Sequence, residues 1–318
     1  MIRTILVPVG QSVDSGRLAI ARAVALADRA GAAVRLLGVV YDPHLEGYLG
    51  RGEIYASLRE RVVKERQGSL RAIEQDLTAR GIRCDSKALW GRPVHLAVAR
   101  EAAAPDVDLV VFEPEDARAL SNDEWRLVSI CPAPLLVVRD AEVRPYARVV
   151  AAVDPARAHD KPADLDARIL DLARRMQNLY GARLEVVHCM PPLRSFVTED
   201  GAPLGDIERT IRTELLRELD ELLDRAGVPK ETATLIDGKP AEVLTERSSA
   251  AEPTLLVLGS VQRGPIARIV VGSTAERVLR ADGGDVLVIR PAFLDEDAAA
   301  DEDESASRHV ERDPSEIQ

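Results

Sequence analysis

The second half of the chain repeats the pattern of the first, and this repetition constrains the fold more than any other feature. In each half, short apolar runs alternate with segments of helical periodicity. Residues 181–187 correspond to 31–39, and residues 237–240 correspond to 90–93. The corresponding segments occur in the same order, about half a chain apart. An ordered series of this kind predicts tandem copies of one domain.

Within each copy, the elements alternate between strand and helix. Apolar, β-branched runs predict first-half strands at residues 4–9, 34–40, 84–89, 108–112 and 134–138. Helical periodicity predicts intervening helices at residues 15–29 and 54–80 and from residue 94, with second-half counterparts at 165–176 and 207–226. Alternation at this rhythm is typical of parallel α/β sheets with right-handed crossovers. We therefore predict an α/β fold of two tandem, doubly wound, five-stranded parallel-sheet domains, with two sheets and not one continuous sheet.

The predicted domains comprise residues 1–140 and 147–292. The stretch 140–146 between them is polar, contains Pro145 and is expected to be a linker. After residue 292 the chain becomes acidic, with the run DEDAAADEDE, and has no apolar periodicity. Such a segment cannot bury enough apolar surface to fold, so residues 293–318 are predicted to be a disordered acidic tail.

The composition indicates which cellular compartment and which classes of partner are compatible with the chain. The net charge of −11 argues against nucleic acid or an anionic membrane as a partner. The three cysteines are odd in number and widely spaced, which favours a reducing compartment. The N-terminus runs directly into a strand, and no apolar stretch approaches the length of a membrane span. We therefore expect a soluble, cytoplasmic protein.

The stretch from residue 254 to 290 has the parts of a phosphate-binding unit. An apolar strand ends at Gly259 and Ser260, and a second strand closes the unit at residues 286–289. Between them, Gly272 precedes a helix that Ser273 or Thr274 is expected to cap. Glycine lets backbone N–H groups approach phosphate oxygens, and a helix N-terminus supplies partial positive charge.

This stretch resembles the nucleotide loop of the universal stress protein family, written G-x2-G-x9-G-S/T. The chain matches the first glycine at Gly259, the third at Gly272 and the hydroxyl at Ser273, whereas Gln262 replaces the second glycine. The Gly259-x-Val261-x-Arg263 pattern and the acidic tail after a VIRP strand end are similar to the tandem-domain, E-type branch. The resemblance covers residues 3–291.

The resemblance implies one ATP, with Mg²⁺, in the second domain. Asp154 would contact the adenosine, main-chain groups at Cys189 would recognise adenine, and the phosphates would lie against the loop and helix residues Gly259, Ser260, Arg263, Gly264, Gly272, Ser273 and Thr274. The resemblance also implies that the domains pair through their last strands as an intramolecular pseudo-dimer. The resemblance leaves open whether the chain also associates with further copies of itself or with a regulatory protein partner.

The first domain lacks these features. Gly10 stands where the family has the aspartate, and no glycine follows the fourth strand. Glu113, Glu115 and Asp116 would instead face the phosphates with like charge. We therefore expect no nucleotide in the first domain.

Several site residues have a structural alternative. Asp154 precedes Pro155 and is equally suited to a turn or helix cap. His188 and Cys189 are adjacent on a strand and point to opposite faces, which favours a structural role over a metal site.

Three classes of function remain. The first is a stress-response regulatory protein that binds a nucleotide. The second is a nucleotide-free scaffold or apolar-ligand binder, which Gln262 favours. The third is an enzyme of adenylate chemistry, against which stands the absence of a Gly-Lys-Ser/Thr loop and of a nucleophile paired with a base. We predict the regulatory protein and no enzyme, with only a weak ATPase activity left open.

Overall fold

The computed structural model describes residues 2–10, 16–42, 53–116, 119–156, 161–162, 164–190, 204–249, 252–261, 271–281 and 283–291. The predicted acidic tail therefore lies outside the described residues, as do Gln262, Arg263 and Gly264.

The first half contains five strands and four helices among its described residues. The strands are β1 (Thr4–Pro8), β2 (Ala33–Val40), β3 (Cys84–Trp90), β4 (Leu109–Phe112) and β5 (Leu135–Val137). The helices are α1 (Arg17–Ala30), α2 (Glu53–Ala79), α3 (Val94–Ala102) and α4 (Asn122–Ile130). The predicted elements are present, with ends shifted by one or two residues.

The second half repeats the series. Its strands are β6 (Arg148–Ala152), β7 (Arg183–Met190), β8 (Ala233–Asp237), β9 (Thr254–Gly259) and β10 (Asp285–Ile289). Its helices are α5 (Leu165–Tyr180), α6 (Leu204–Ala226), α7 (Pro240–Ser248) and α8 (Ser273–Arg280), with a short 3₁₀ turn at Lys230–Thr232.

The strands form one ten-stranded sheet in the order β3-β2-β1-β4-β5-β10-β9-β6-β7-β8. Pairing is parallel within each half, which confirms the predicted α/β fold class. The last strands, β5 and β10, pair antiparallel, with Leu136 opposite Leu287. The expectation of two separate sheets is therefore wrong, because pairing edge to edge through these strands makes the two sheets continuous.

Helices cover both faces of this sheet, and each face carries a core that spans both halves. One core includes residues of α1, α2, α5 and α6, and the other includes residues of α3, α4, α7 and α8. Leu136 and Leu287 belong to the first core, and their neighbours Leu135 and Val286 belong to the second. The boundary between the halves is therefore as fully packed as the interior of either half.

The predicted linker is part of this packed boundary. Tyr146 is fully buried, and its hydroxyl donates to Asp285 Oδ2 at 2.5 Å. Arg139, just after β5, donates to the carbonyl oxygens of Leu279, Ala281 and Gly284 at the end of α8. Cationic side chains are favoured at this end of a helix. The predicted linker is thus fixed at both ends, at Arg139 and Tyr146, while Ala141, Glu142, Arg144 and Pro145 between them are exposed.

Candidate functional site

A cavity of about 370 Å³ opens at the carboxyl ends of β6, β7 and β9 in the second half. The N-terminal parts of α5, α7 and α8 and one face of α6 complete its walls. Ligands of open parallel sheets bind outside the carboxyl ends of the strands. The volume lies within the range of small-molecule sites.

The cavity brings together most of the residues that the sequence singled out. Six of them line it: Asp154, Cys189, Gly259, Gly272, Ser273 and Thr274. Ser260 is different, because it is buried, does not line the cavity, and donates its backbone N–H to the Ile289 carbonyl at 2.8 Å. That N–H is therefore committed to the sheet and not directed to a ligand.

The N-terminus of α8 forms one wall of the cavity. Gly272 is the N-cap residue, and no side chain caps the helix. The expectation that Ser273 or Thr274 caps it is wrong, because the helix begins at Ser273 itself and both side chains lie within its first turn. The first backbone N–H groups of a helix have no intrahelical partner, so the wall at Ser273 and Thr274 is suited to an anion.

Gly259 has a packing role in addition to the phosphate contact predicted for it. A Cβ at this position would lie 2.7 Å from Leu165 Cδ2 and 3.2 Å from Ile169 Cδ1. The absence of a side chain therefore allows α5 to pack closely over the end of β9. Gly259 thereby places Leu165 in the cavity wall, and its contact with a phosphate stays a prediction.

The sequence did not reveal an ion pair in the cavity wall. Lys161 Nζ lies 2.6 Å from Asp166 Oδ1, and each side chain is 7% exposed. The same oxygen accepts the backbone N–H of Asp154 at 3.2 Å. Asp166 thereby fixes the backbone at Asp154 and balances the charge of Lys161. Lys161 matches no site pattern in the sequence, so no sequence signal pointed to it.

His188 is the second residue that the sequence undervalued. Its side chain lines the cavity and is 5% exposed, and Nδ1 lies 3.0 Å from the Val153 carbonyl oxygen. A carbonyl only accepts, so Nδ1 carries the hydrogen in this geometry. The structural role expected for His188 is present.

The thiols are poorly suited to nucleophilic chemistry. Burial, opposed in part by Arg247, raises the pKa of Cys189 to about 11, so the thiol in the cavity wall stays neutral near pH 7. Burial also raises the pKa of Cys84 and Cys131 to about 12. Among the described residues, no cluster of His, Cys, Asp and Glu is arranged to hold a metal ion.

In the first half, the corresponding place is occupied by the protein's own side chains. The Arg66 guanidinium, from α2, donates to the carbonyl oxygens of Val9 at 2.9 Å and Gly10 at 2.5 Å. Glu113 Oε2 accepts the backbone N–H groups of Leu18 at 2.7 Å and Ala19 at 3.2 Å. Glu113 therefore satisfies the N-terminus of α1 instead of facing an open phosphate site.

In the described part of the chain, no helix is both long and apolar enough to cross a membrane.

Comparison with known proteins agrees with the fold and the repeat. The model of the universal stress protein family matches residues 1–139 and 145–290. The chain is 24% identical over 307 residues to a universal stress protein E homolog of Haemophilus influenzae, covering 92% of this chain and 99% of that protein. It is 23% identical over 301 residues to universal stress protein E of Escherichia coli K12, covering 92% and 95%.

Solved structures with the same architecture cover more than nine tenths of the chain. A functionally unknown protein from Pseudomonas aeruginosa PAO1 superposes with a TM-score of 0.69 at 23% identity, covering 96% of this chain and 98% of that one. A universal stress protein from Archaeoglobus fulgidus gives a TM-score of 0.63 at 16% identity, covering 91% and 99%. Two family matches in tandem, joined in one fold, identify the chain as a member of the universal stress protein family with the two-domain organisation of its E-type members.

Proposed function

We propose that this universal stress protein acts in the stress response as a regulatory binding protein that holds one adenine nucleotide per chain. The observation that carries the proposal is the convergence of Asp154, the end of β7 and the N-terminus of α8 on one cavity. These are the groups that would contact ribose, base and phosphate, respectively.

The cavity wall offers a suitable group for each part of a nucleotide, namely the ribose, the adenine and the phosphates. The Asp154 carboxylate can accept hydrogen bonds from ribose hydroxyls, and main-chain groups at Cys189 can pair with the edge of adenine. Phosphates would lie at Ser273 and Thr274, with Mg²⁺ bound to the phosphate oxygens. Arg263 and Gly264 belong to the loop that would complete the phosphate site, outside the described residues.

Binding, and not catalysis, is the role that the described side chains support. The thiol at Cys189 is neutral, and Lys161 is paired with Asp166. A paired ammonium and a protonated thiol are weak nucleophiles. A signal would then pass through the surface that the nucleotide stabilises, either to a regulatory protein partner or to another copy of the chain.

A second candidate is a nucleotide-free protein that binds an apolar ligand. The specific observation in its favour is the apolar part of the cavity wall, which includes Leu165, Ile169, Leu215 and Leu244. Gln262, in place of a loop glycine, also favours this reading. In this case the paired halves would be a scaffold around an apolar cavity.

One experiment separates the two. The protein is purified without added nucleotide, its bound small molecules are released and identified by mass spectrometry, and the emptied protein is titrated calorimetrically with ATP and Mg²⁺. We expect adenine nucleotide and a stoichiometry of one per chain. A lipid or other apolar molecule in the released fraction, together with no heat on ATP addition, would establish the second candidate.

A further inference from the structure

One strand position beside the cavity differs between the two halves. Leu37 pairs with Pro8, the last residue of β1, and Val187 pairs with Ala152, the last residue of β6. The next residues along, Gly38 in β2 and His188 in β7, therefore occupy equivalent positions. The first is the smallest residue available and the second is a buried imidazole.

In the first half, this glycine lets α2 pack directly onto the sheet. A Cβ at Gly38 would lie 2.8 Å from Arg66 Nε and 2.9 Å from Leu70 Cδ1. Leu70 is fully buried, and Arg66 reaches past the strand to the Val9 carbonyl. Any side chain at position 38 would push both α2 residues outward.

In the second half, the equivalent position carries the side chain of His188, which lines the cavity. Its Nδ1 donates to the carbonyl of Val153, which is equivalent to the carbonyl of Val9 that Arg66 satisfies in the first half. Across the cavity from the strand, α6 presents Ile211 and Leu215, which have the same i, i+4 spacing as Arg66 and Leu70. Neither is fully buried, whereas Leu219 and Leu223, farther along α6, are. Only the C-terminal part of α6 is thus anchored in the core.

We infer that His188 is a positioning residue that holds the N-terminal part of α6 away from β7 and so keeps the cavity open. At the equivalent position of the first half, the absence of a side chain at Gly38 lets Arg66 and Leu70 of α2 lie against the strand. The inference rests on the proposed function only where a nucleotide is used as the readout.

The test compares His188→Ala with His188→Gln by hydrogen exchange of residues 207–217 and by ATP titration. Alanine removes the bulk, so α6 should settle onto β7, exchange should slow and nucleotide binding should be lost. Glutamine keeps a similar size and can still donate to Val153, so both readouts should remain near wild type. His95→Ala, which removes a buried histidine from the first half, is the matched control and should alter neither readout.

The reverse change is made in the first half. Gly38→Ala should speed exchange in α2 and lower the Tm, because the new Cβ displaces Arg66 and Leu70. Gly68 lies in α2, and a Cβ added there would have no atom within 4 Å. Gly68→Ala should therefore raise the Tm, because alanine is a better helix former than glycine.

The outcomes distinguish this inference from the proposed function. If wild type binds no adenine nucleotide, the proposed function fails, while the exchange comparison still tests the positioning role. Unchanged or faster exchange of residues 207–217 in His188→Ala, with Tm loss no greater than in His95→Ala, overturns the inference. Retained nucleotide affinity in His188→Ala overturns it as well.

Discussion

Arg22 of α1 and Asp285 of β10 form an ion pair across the boundary between the halves, with Arg22 Nη2 2.8 Å from Asp285 Oδ2 and both side chains at most 1% exposed. The two groups attract each other by charge but form no hydrogen bond, because the N–H bonds of Arg22 Nη2 do not point at the carboxylate oxygen. Asp285 also accepts the backbone N–H groups of Arg139 at 2.8 Å and Asp140 at 3.1 Å, and the hydroxyl of Tyr146. Burial, and then the charge of Asp285, raises the pKa of Tyr146 far above its ordinary value, so its hydroxyl remains a donor.

The first prediction ranks changes at this pair. Asp285→Asn leaves Arg22 buried without its counter-charge, so we expect it to lower the free energy of unfolding by about 3–5 kcal/mol. Arg22→Met should cost less, because Asp285 keeps its three donors. Urea unfolding of both single variants and the double variant measures the coupling. Arg175→Met, which breaks an exposed pair with Asp171, is the control and should stay near the measurement error. Equal losses in Arg22→Met and Asp285→Asn would contradict the ranking.

The second prediction concerns the wall at α8. A Cβ at Gly272 would lie 3.4 Å from the Val261 carbonyl oxygen, which is an ordinary contact, and φ is −52°. Gly272→Ala should therefore fold normally, whereas the larger side chain of Gly272→Val should enter the phosphate space and abolish ATP binding. Calorimetry measures both, with Glu113→Gln in the first half as a variant that should leave the stoichiometry unchanged. If Gly272→Val binds ATP with wild-type affinity, the phosphates do not bind at the N-terminus of α8.

The third prediction concerns the loop position at which the chain departs from the family pattern. Gln262→Gly removes the side chain that replaces a loop glycine, so ATP affinity should rise. The same calorimetric titration tests it. If neither wild type nor Gln262→Gly gives heat with ATP and Mg²⁺, the proposal of an apolar-ligand binder replaces the proposal of a nucleotide-binding protein.

The fourth prediction is a pH dependence. Burial lowers the pKa of His95, with a partly opposing effect from Asp123, so the folded protein favours the neutral ring. As the pH falls below the ordinary histidine value of about 6.5, the unfolded chain binds a proton that the folded chain resists, and stability is lost. His95→Gln should therefore show a flatter loss of unfolding free energy between about pH 7 and pH 5. Parallel curves for wild type and variant would show that His95 does not contribute.

The fifth prediction concerns the acidic tail. Removing residues 295–318 should leave the Tm nearly unchanged, because this segment has too little apolar surface to offset the entropy of ordering it. Hydrogen exchange of the full chain should show no protection there. A marked drop in Tm on truncation would mean that the tail docks on the folded part.

The sequence was sufficient for those parts of the fold that depend on local pattern. Apolar runs such as residues 255–258 and helix-ending glycines such as Gly31 place most elements within one or two residues, although the helix predicted at 165–176 extends to Tyr180 and the one predicted from 207 begins at Leu204. The repeat then predicts that the two halves share one arrangement of strands and helices. Continuity of the sheet was missed, because the rule of last-strand pairing did not say whether β5 and β10 share hydrogen bonds.

The candidate site was predicted only where a residue matched the family resemblance. Gly272, from the loop pattern, and Asp154, from the end of the first strand of the second domain, are in the cavity wall. Lys161 was not expected there, and His188 was expected only in a structural role, because a single sequence shows a residue's type but not its partner. The importance of His188 depends on Gly38, a residue 150 positions earlier whose missing side chain leaves no periodic signal.

The antiparallel pairing of β5 with β10 joins two edges that, in separate copies, would meet only by collision. Since both copies belong to one polypeptide, this union does not depend on protein concentration. Dilution cannot separate the halves, and any association with another chain must use a different surface, such as the outer edges at β3 and β8. The protein therefore keeps its paired form even at a few copies per cell.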